Sequence, residues 1–312
     1  MLSRTADNLY WTGRYIERAE NLARVLDVSH RNSLLGLAGP TPESEWQDVL
    51  DILGNPKQFT ERGCGLNEAD IMQFFAIDTE SPCSIKFCIH GARESARALR
   101  AVISTEMWES INTTWLAVRD LDEAGLRARG LREFYDWVKD RSHLFRGVSH
   151  GTTLHNDAFH FLRMGTFLER GDSTARLLDT KYQSLAGMDA EITGATYYAW
   201  GSVLRQASSF RAYHQTYRDV ITPERVAELL IVRPELPRSL RFCAMQMVEH
   251  LDALAGTRDL EAQRLAGELH AGLRFARIDR VLDKGIHEFL ADVVQRIADL
   301  SAQLARDFLM TV

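Results

Sequence analysis

Apolar residues recur at three- and four-residue intervals along most of the chain, the spacing that lines up one face of an α-helix. Near the start, Trp11, Tyr15, Ala19, Leu22 and Leu26 share one face, and Arg14, Glu17, Glu20, Asn21 and Arg24 share the opposite one, with Arg18 at the border. Alternating runs of Val, Ile and Thr are nearly absent, so there is almost no strand signal. No proline lies between Pro82 and Pro223, and that interval is rich in the good helix formers Ala, Leu, Arg and Glu. The pattern predicts an all-α fold.

Helices are expected over residues 3–35, 45–53 and 67–76, from 82 toward 101, and over 105–121 and 130–145. A further helix opens near Asn156-Asp157, and others cover 193–217, 223–231, 237–254, 260–276 and 286–309. The stretch LAGPTPES (residues 37–44) breaks the first helix. Ser81-Pro82 reads as an N-cap followed by proline at the first helical position. GVSHGTT (residues 147–153) reads as a polar loop. No linker rich in Gly, Ser or Pro divides the chain, which favours a single large bundle over residues 1–312.

Internal similarity adds a second level of organisation. Residues 13–27 align with 165–179 at an offset of 152, with seven of fifteen positions identical, among them Glu17/Glu169, Arg18/Arg170 and Arg24/Arg176. PCSIKFC (82–88) faces PRSLRFC (237–243), and GLREFYDWVKDR (130–141) faces GIHEFLADVVQR (285–296), both at an offset of 155. Three ordered matches at nearly constant offset predict two tandem-duplicated halves, about 1–155 and 156–312, packed around a pseudo-two-fold axis.

The duplicated stripe is mixed: Glu17, Glu20, Asn21 and Arg24 in one copy, Glu169, Asp172, Ser173 and Arg176 in the other. One reading is a solvated face laced with i,i+4 pairs such as Glu20–Arg24 and Asp172–Arg176. A second brings both stripes together between the halves as a buried carboxylate–guanidinium network, with spare arginine donors for an anionic ligand. A third is a dimetal carboxylate bundle, but Glu-x-x-His is absent and the arginines beside the carboxylates would compete with a cation. Arg93, Arg97 and Arg100 form a further row on one helix face. Their counterparts are Val248, Asp252 and Ala255, so a pocket is expected to be asymmetric and to lean toward Arg93.

Composition excludes several classes. The net charge of −6 over 312 residues argues against general nucleic-acid binding. No apolar run approaches a membrane span, and the first residues lack a signal-peptide core, so a cytoplasmic location is expected. The four cysteines form no C-x-x-C pair and read as small buried thiols. His143, His150, His155 and His160 are spaced unlike helical metal ligands and suit loop and cap positions. No P-loop, G-x-S-x-G or Rossmann pattern occurs, and no metal or cofactor is expected. Trp11, Trp108 and Trp115 are expected in the core.

The opening MLSRTADNLYWTGRYIERAENLAR resembles the N-terminal signature of the alpha-E family, a bacterial all-helical group named for Glu-Arg motifs. Residues 81–112 are similar to its second signature, with Arg93, Glu94 and Arg97 at the charged positions; residues 161–182 resemble the third and 229–243 the fourth, with Pro237-Arg238-Ser239. Ser95 and Ser173 depart from the pattern, and Arg163 and Thr166 stand where the first copy has Trp11 and Arg14. The resemblance implies company with circularly permuted ATP-grasp proteins, enzymes that activate carboxylates with ATP and join them to amines.

The expectation is therefore an accessory or substrate-binding component of such an amide-ligase pathway, with a peptide or amino acid as ligand. Its polar network would comprise Arg14, Glu17, Arg18, Glu20, Asn21, Arg24, Arg93, Glu94, Arg97, Glu169, Arg170, Asp172 and Arg176. The alternative is a stand-alone enzyme with Glu17 or Glu169 as acid/base and arginines holding a carboxylate or phosphate.

Overall fold

A computed structural model describes residues 1–36, 42–54, 56–185 and 194–309. Among these residues there are sixteen α-helices, one π-helical segment and no strand. The first half holds α1 (Ser3–Leu34), α2 (Pro42–Leu53), α3 (Pro56–Glu61), α4 (Glu68–Met72) running into the π-helical Gln73–Ile77, α5 (Ile85–Ala98), α6 (Thr105–Val118), α7 (Glu123–Arg129) and α8 (Leu131–Thr152). The second half holds α9 (Asp157–Ser184), α10 (Gly194–Gln206), α11 (Phe210–Tyr217), α12 (Pro223–Val232), α13 (Leu240–Ala255), α14 (Glu261–Arg274), α15 (Ile278–Lys284) and α16 (Ile286–Phe308).

The two longest helices, α1 and α9, form the centre and pack on each other. The 32 residues of α1 make a rod of about 48 Å at 1.5 Å per residue. α5 and α8 flank α1, and α13 and α16 flank α9; α6 bridges α5 and α8 as α14 bridges α13 and α16. The short α2 leans on α9, and α10 leans on α1, so each half reaches across to the other's central helix. One hydrophobic cluster runs through both halves. Ala23 and Leu26 of α1 and the corresponding Ala175 and Leu178 of α9 are all fully buried within it; each such leucine stabilises the fold by roughly 2 kcal/mol.

Glycine sets how closely the central helices cross. A Cβ on Gly13 would collide with the carbonyl oxygen of Leu162, and a Cβ on Gly165 with that of Tyr10. These contacts exchange under the offset of 152, because Tyr10 corresponds to Leu162 as Gly13 does to Gly165. At such a crossing backbone meets backbone, and only residues without a side chain fit.

Local signals repeat with the same regularity. Ser84 caps α5 by accepting the Phe87 N–H at 3.0 Å, and Ser239 caps α13 by accepting the Phe242 N–H at 3.0 Å. Gly130 and Gly285 turn α7 into α8 and α15 into α16 at φ of +89° and +112°, a backbone state that favours glycine.

The sequence expectations need correction in places. Ser81-Pro82 and Pro237 precede their helices; the caps are Ser84 and Ser239, because a hydrogen-bonded turn from Ser81 to Ser84 comes first. GVSHGTT is largely the last turns of α8, since its glycines sit in open space and cost only propensity. The helix expected over 193–217 is split into α10 and α11 by a kink where Ser208 takes φ +54°; Thr193 lies outside the described residues. The short helices α3, α7 and α15 escaped the periodicity because six or seven residues hold too few repeats.

Candidate functional site

The Glu-Arg steps of α1 and α9 face each other in the interior, whereas Asp172 and Arg176 at the end of the α9 stripe stay partly exposed. Glu17 and Glu20 are 1% and 0% exposed, and Glu169 and Arg170 are each 7% exposed. Helix geometry places Glu17 and Arg18 one step apart, so each helix presents a carboxylate and a guanidinium to its partner. Arg170 donates to Glu17 through Nε and Nη2, both at 2.8 Å. Reciprocally, Arg18 donates to Glu169 through Nε at 2.6 Å and Nη2 at 2.9 Å. The two fork-to-fork pairs join residues that correspond under the offset of 152.

Beyond the shared pairs the two clusters differ. Around Glu17 and Glu20 the space is filled. Arg238, from the turn before α13, donates to Glu20 and to Asn21 at 2.7 Å each and lies 3.2 Å from Glu17. Arg146 of α8 donates to Glu17 at 3.1 Å and also pairs with Glu20. Ser142 donates to Glu20 at 2.7 Å, and Arg24 adds an i,i+4 pair at 2.6 Å. Burial works against both carboxylates, but Arg170 and Arg238 on Glu17 outweigh it, as do Arg238, His143, Arg146 and Arg24 on Glu20. Both stay ionised, Glu20 well below the ordinary range. A buried charge set of this kind is stable only because each oxygen is paired.

Around Glu169 and Asp172 there is instead a cavity of about 640 Å³. Arg14, Arg18, Glu169, Asp172, Ser173 and Arg176 supply its polar wall, and Cys83 with Ile297, Ala298 and Ser301 of α16 lines another part. Arg14 donates to Glu169 at 2.8 Å, and Arg176 to Asp172 at 2.8 Å. Burial again opposes the Glu169 charge, and Arg18 and Arg14 overcome it, holding the carboxyl down at about 2. Burial pushes the Cys83 thiol up, so it rests as a thiol.

Offset comparison explains the cavity. Arg238 corresponds to Cys83, Arg146 to Ser301, Ser142 to Ile297 and His143 to Ala298. The residues that fill the Glu17 cluster are thus replaced by smaller or apolar ones around Glu169, and all four replacements line the cavity.

The structure gathers Arg14, Glu17, Arg18, Glu20, Asn21, Arg24, Glu169, Arg170, Asp172 and Arg176 in this double cluster. It does not bring Arg93, Glu94 and Arg97 there. Arg93 pairs with Glu94 and donates to Asn112 at 3.3 Å, and Arg97 meets Glu94 at 2.7 Å. Arg93 and Arg100 lie over the half-buried Trp108, 5.7 and 5.1 Å from its ring. The cavity is asymmetric, but it leans toward α16 rather than toward Arg93, because the space is opened by Cys83 and Ser301. Trp11 and Trp115 are likewise half-buried, Trp11 beneath Arg14 at 5.3 Å.

Sequence reasoning missed Arg146, Ser142 and Arg238 as network members. Arg238 stood in the Pro237-Arg238-Ser239 signature without a role in the network, and Arg146 and Ser142 were marked only by divergence at the aligned offset, against Ser301 and Ile297. His143, His150 and His160 are helical rather than in loops. His160 Nδ1 lies 3.1 Å from His250 Nδ1, and burial with the nearby Arg163 drives His250 down to about 3. Among the described residues, no group of three or more His, Cys, Asp or Glu is placed to hold a metal, and no helix is long and apolar enough to cross a membrane.

A family model described as "a predicted alpha-helical domain with a conserved ER motif" matches residues 1–309. The chain belongs to the Alpha-E family. Of the four Glu-Arg steps in the chain, Glu17-Arg18 and Glu169-Arg170 supply the four residues of the reciprocal pairs. Uncharacterized protein Mb2597 of Mycobacterium bovis and Uncharacterized protein Rv2567 of Mycobacterium tuberculosis are each 25% identical to the chain over 324 residues, covering 96% of it. The chain spans 35% of the length of these curated relatives. No solved structure matches the chain.

Proposed function

We propose that the chain is a binding component that holds a carboxylate-bearing, peptide-like ligand in the Glu169 cavity on behalf of an ATP-grasp amide ligase. The observation carrying this reading is the cavity itself: about 640 Å³, within the usual range of small-molecule sites, and walled by three guanidiniums. Arg14 Nη2, Arg18 Nη1 and both Nη atoms of Arg176 have no partner among the described residues. Planar guanidiniums with free N–H groups suit a carboxylate. The ligase partner rests on the family resemblance, since such enzymes consume carboxylates and make amides.

Acid/base catalysis by Glu17 or Glu169 is the weaker reading. A general base works best with a pKa near the working pH. Both carboxylates are held below their ordinary range, and Glu169 accepts three N–H groups from Arg14 and Arg18.

Co-expression with an ATP-grasp protein encoded alongside the chain, followed by pull-down and assay of ATP turnover, tests the proposal. The expected result is a complex whose turnover falls when Arg176 is replaced by Ala, a change at a half-exposed side chain. Absence of a complex together with unchanged turnover overturns it.

A further inference from the structure

The two clusters differ by a countable set of groups, and the difference specifies what the cavity lacks. In the filled cluster Glu17 and Glu20 meet four guanidiniums, those of Arg24, Arg146, Arg170 and Arg238. In the open cluster Glu169 and Asp172 meet three, those of Arg14, Arg18 and Arg176. One of the two absent partners has a substitute. Arg14, whose counterpart is Thr166, donates to Ser301 Oγ at 3.2 Å and so reaches the position that corresponds to Arg146. The other has none: Cys83 stands where the second copy has Arg238.

Besides its ion pair with Glu17 at 3.2 Å, Arg238 donates hydrogen bonds to two acceptors, Glu20 and Asn21. Their counterparts are Asp172 and Ser173, and both line the cavity beside Cys83. Asp172 Oδ2 takes Arg176, whereas Asp172 Oδ1 and the Ser173 hydroxyl have no partner among the described residues. An acceptor pair is therefore left facing a space from which one guanidinium has been removed.

We propose that the cavity takes a ligand carrying a guanidinium group, the side chain of arginine or of an arginyl peptide, seated over Cys83 with its N–H groups on Asp172 and Ser173. This rests on reading the cavity as a binding site. The incoming group restores the ratio of four guanidiniums to two carboxylates that the filled cluster already holds. A planar fork suits two separate acceptors better than the single point charge of an ammonium. The ligand's carboxylate then meets the free N–H groups of Arg18 and Arg176.

Calorimetric titration of the whole chain with L-arginine and with its neutral isostere L-citrulline tests this. Arginine is expected to bind at least tenfold more tightly than citrulline. Cys83→Arg and Asp172→Asn are each expected to weaken arginine binding at least tenfold while the helical circular dichroism is kept. Mass spectrometry should show arginine, but not citrulline, slowing alkylation of Cys83 in the wild-type chain. Equal affinity for the two amino acids overturns the guanidinium assignment and leaves the binding cavity standing. Binding of neither at millimolar concentration overturns both. Should Cys83→Arg fail to fold, Asp172→Asn and the alkylation rates carry the test, and arginine binding unaffected by Asp172→Asn contradicts the proposal.

Discussion

Arg170 clasps Glu17 through two parallel hydrogen bonds of 2.8 Å, joining the two central helices deep in the protein. The Arg18–Glu169 pair repeats the clasp with the helices exchanged. A motif that looks like an ordinary amphipathic helix surface is, in the fold, the seam between the two central helices.

Glu17→Gln leaves Arg146, Arg170 and Arg238 with less negative charge than they need in a buried place. Loss of one member of such a set is expected to destabilise by about 3–5 kcal/mol. Asp172→Asn breaks a partly exposed i,i+4 pair and should stay within about 1 kcal/mol of wild type. Urea unfolding of both variants checks the contrast; equal losses would contradict it.

Gly13→Ala and Gly165→Ala each drive a methyl group into the facing backbone carbonyl. A loss of about 3 kcal/mol is expected for each, at the upper end for overpacking, because backbone cannot step aside as a side chain can. Thermal unfolding reads this directly, and wild-type stability in either variant would show a wider crossing.

Acid weakens the fold in two stages. The Glu169 carboxyl is held at about 2, below its unfolded value, so its contribution is complete above about pH 4.5 and is lost as pH falls toward 2. Glu17 and Glu20 are also held below their ordinary value, so their contributions too are lost as pH falls below about 4.5. His250, depressed to about 3 by burial, is neutral in the fold; its contribution is complete above its unfolded value of about 6.5 and is lost as pH falls below it. Stability should therefore decline from about pH 6, by up to roughly 1.4 kcal/mol per pH unit for each titrating group. In His250→Gln the decline between about pH 6 and 4.5 should become shallower, leaving the smaller share of His160 and His270, whose imidazoles burial also holds below their ordinary value. Urea midpoints measured across pH 3–8 give the two slopes.

Ser84→Ala and Ser239→Ala remove the caps of corresponding helices. Each should cost about 1 kcal/mol, and the two losses should be similar. Urea midpoints of the two single variants provide the comparison.

The all-α class was legible in the spacing of apolar positions, as were the long helices, because many repeats reinforce one periodicity. Asn156 marked the start of α9 correctly, since a side-chain cap needs only a local hydrogen bond. The charged stripe was legible as a pattern but not as buried. Glu17 is enclosed by Arg146, Arg170 and Arg238, which lie 129 to 221 positions away in sequence, and no local period encodes that. The cavity was legible only in hindsight, through what Cys83 and Ser301 are not. The Arg93 row misled because a basic helix face looks alike whether it meets a distant carboxylate or, as here, its neighbours Glu94 and Trp108.

Thermal unfolding of Cys83→Arg tests most directly whether the two clusters differ by one guanidinium. An unfolding temperature equal to or above that of the wild type is expected, because the new side chain enters an existing space and finds Asp172 and Ser173 as acceptors. A fall of several degrees, as expected for a charge forced into a site without room or partners, would contradict it.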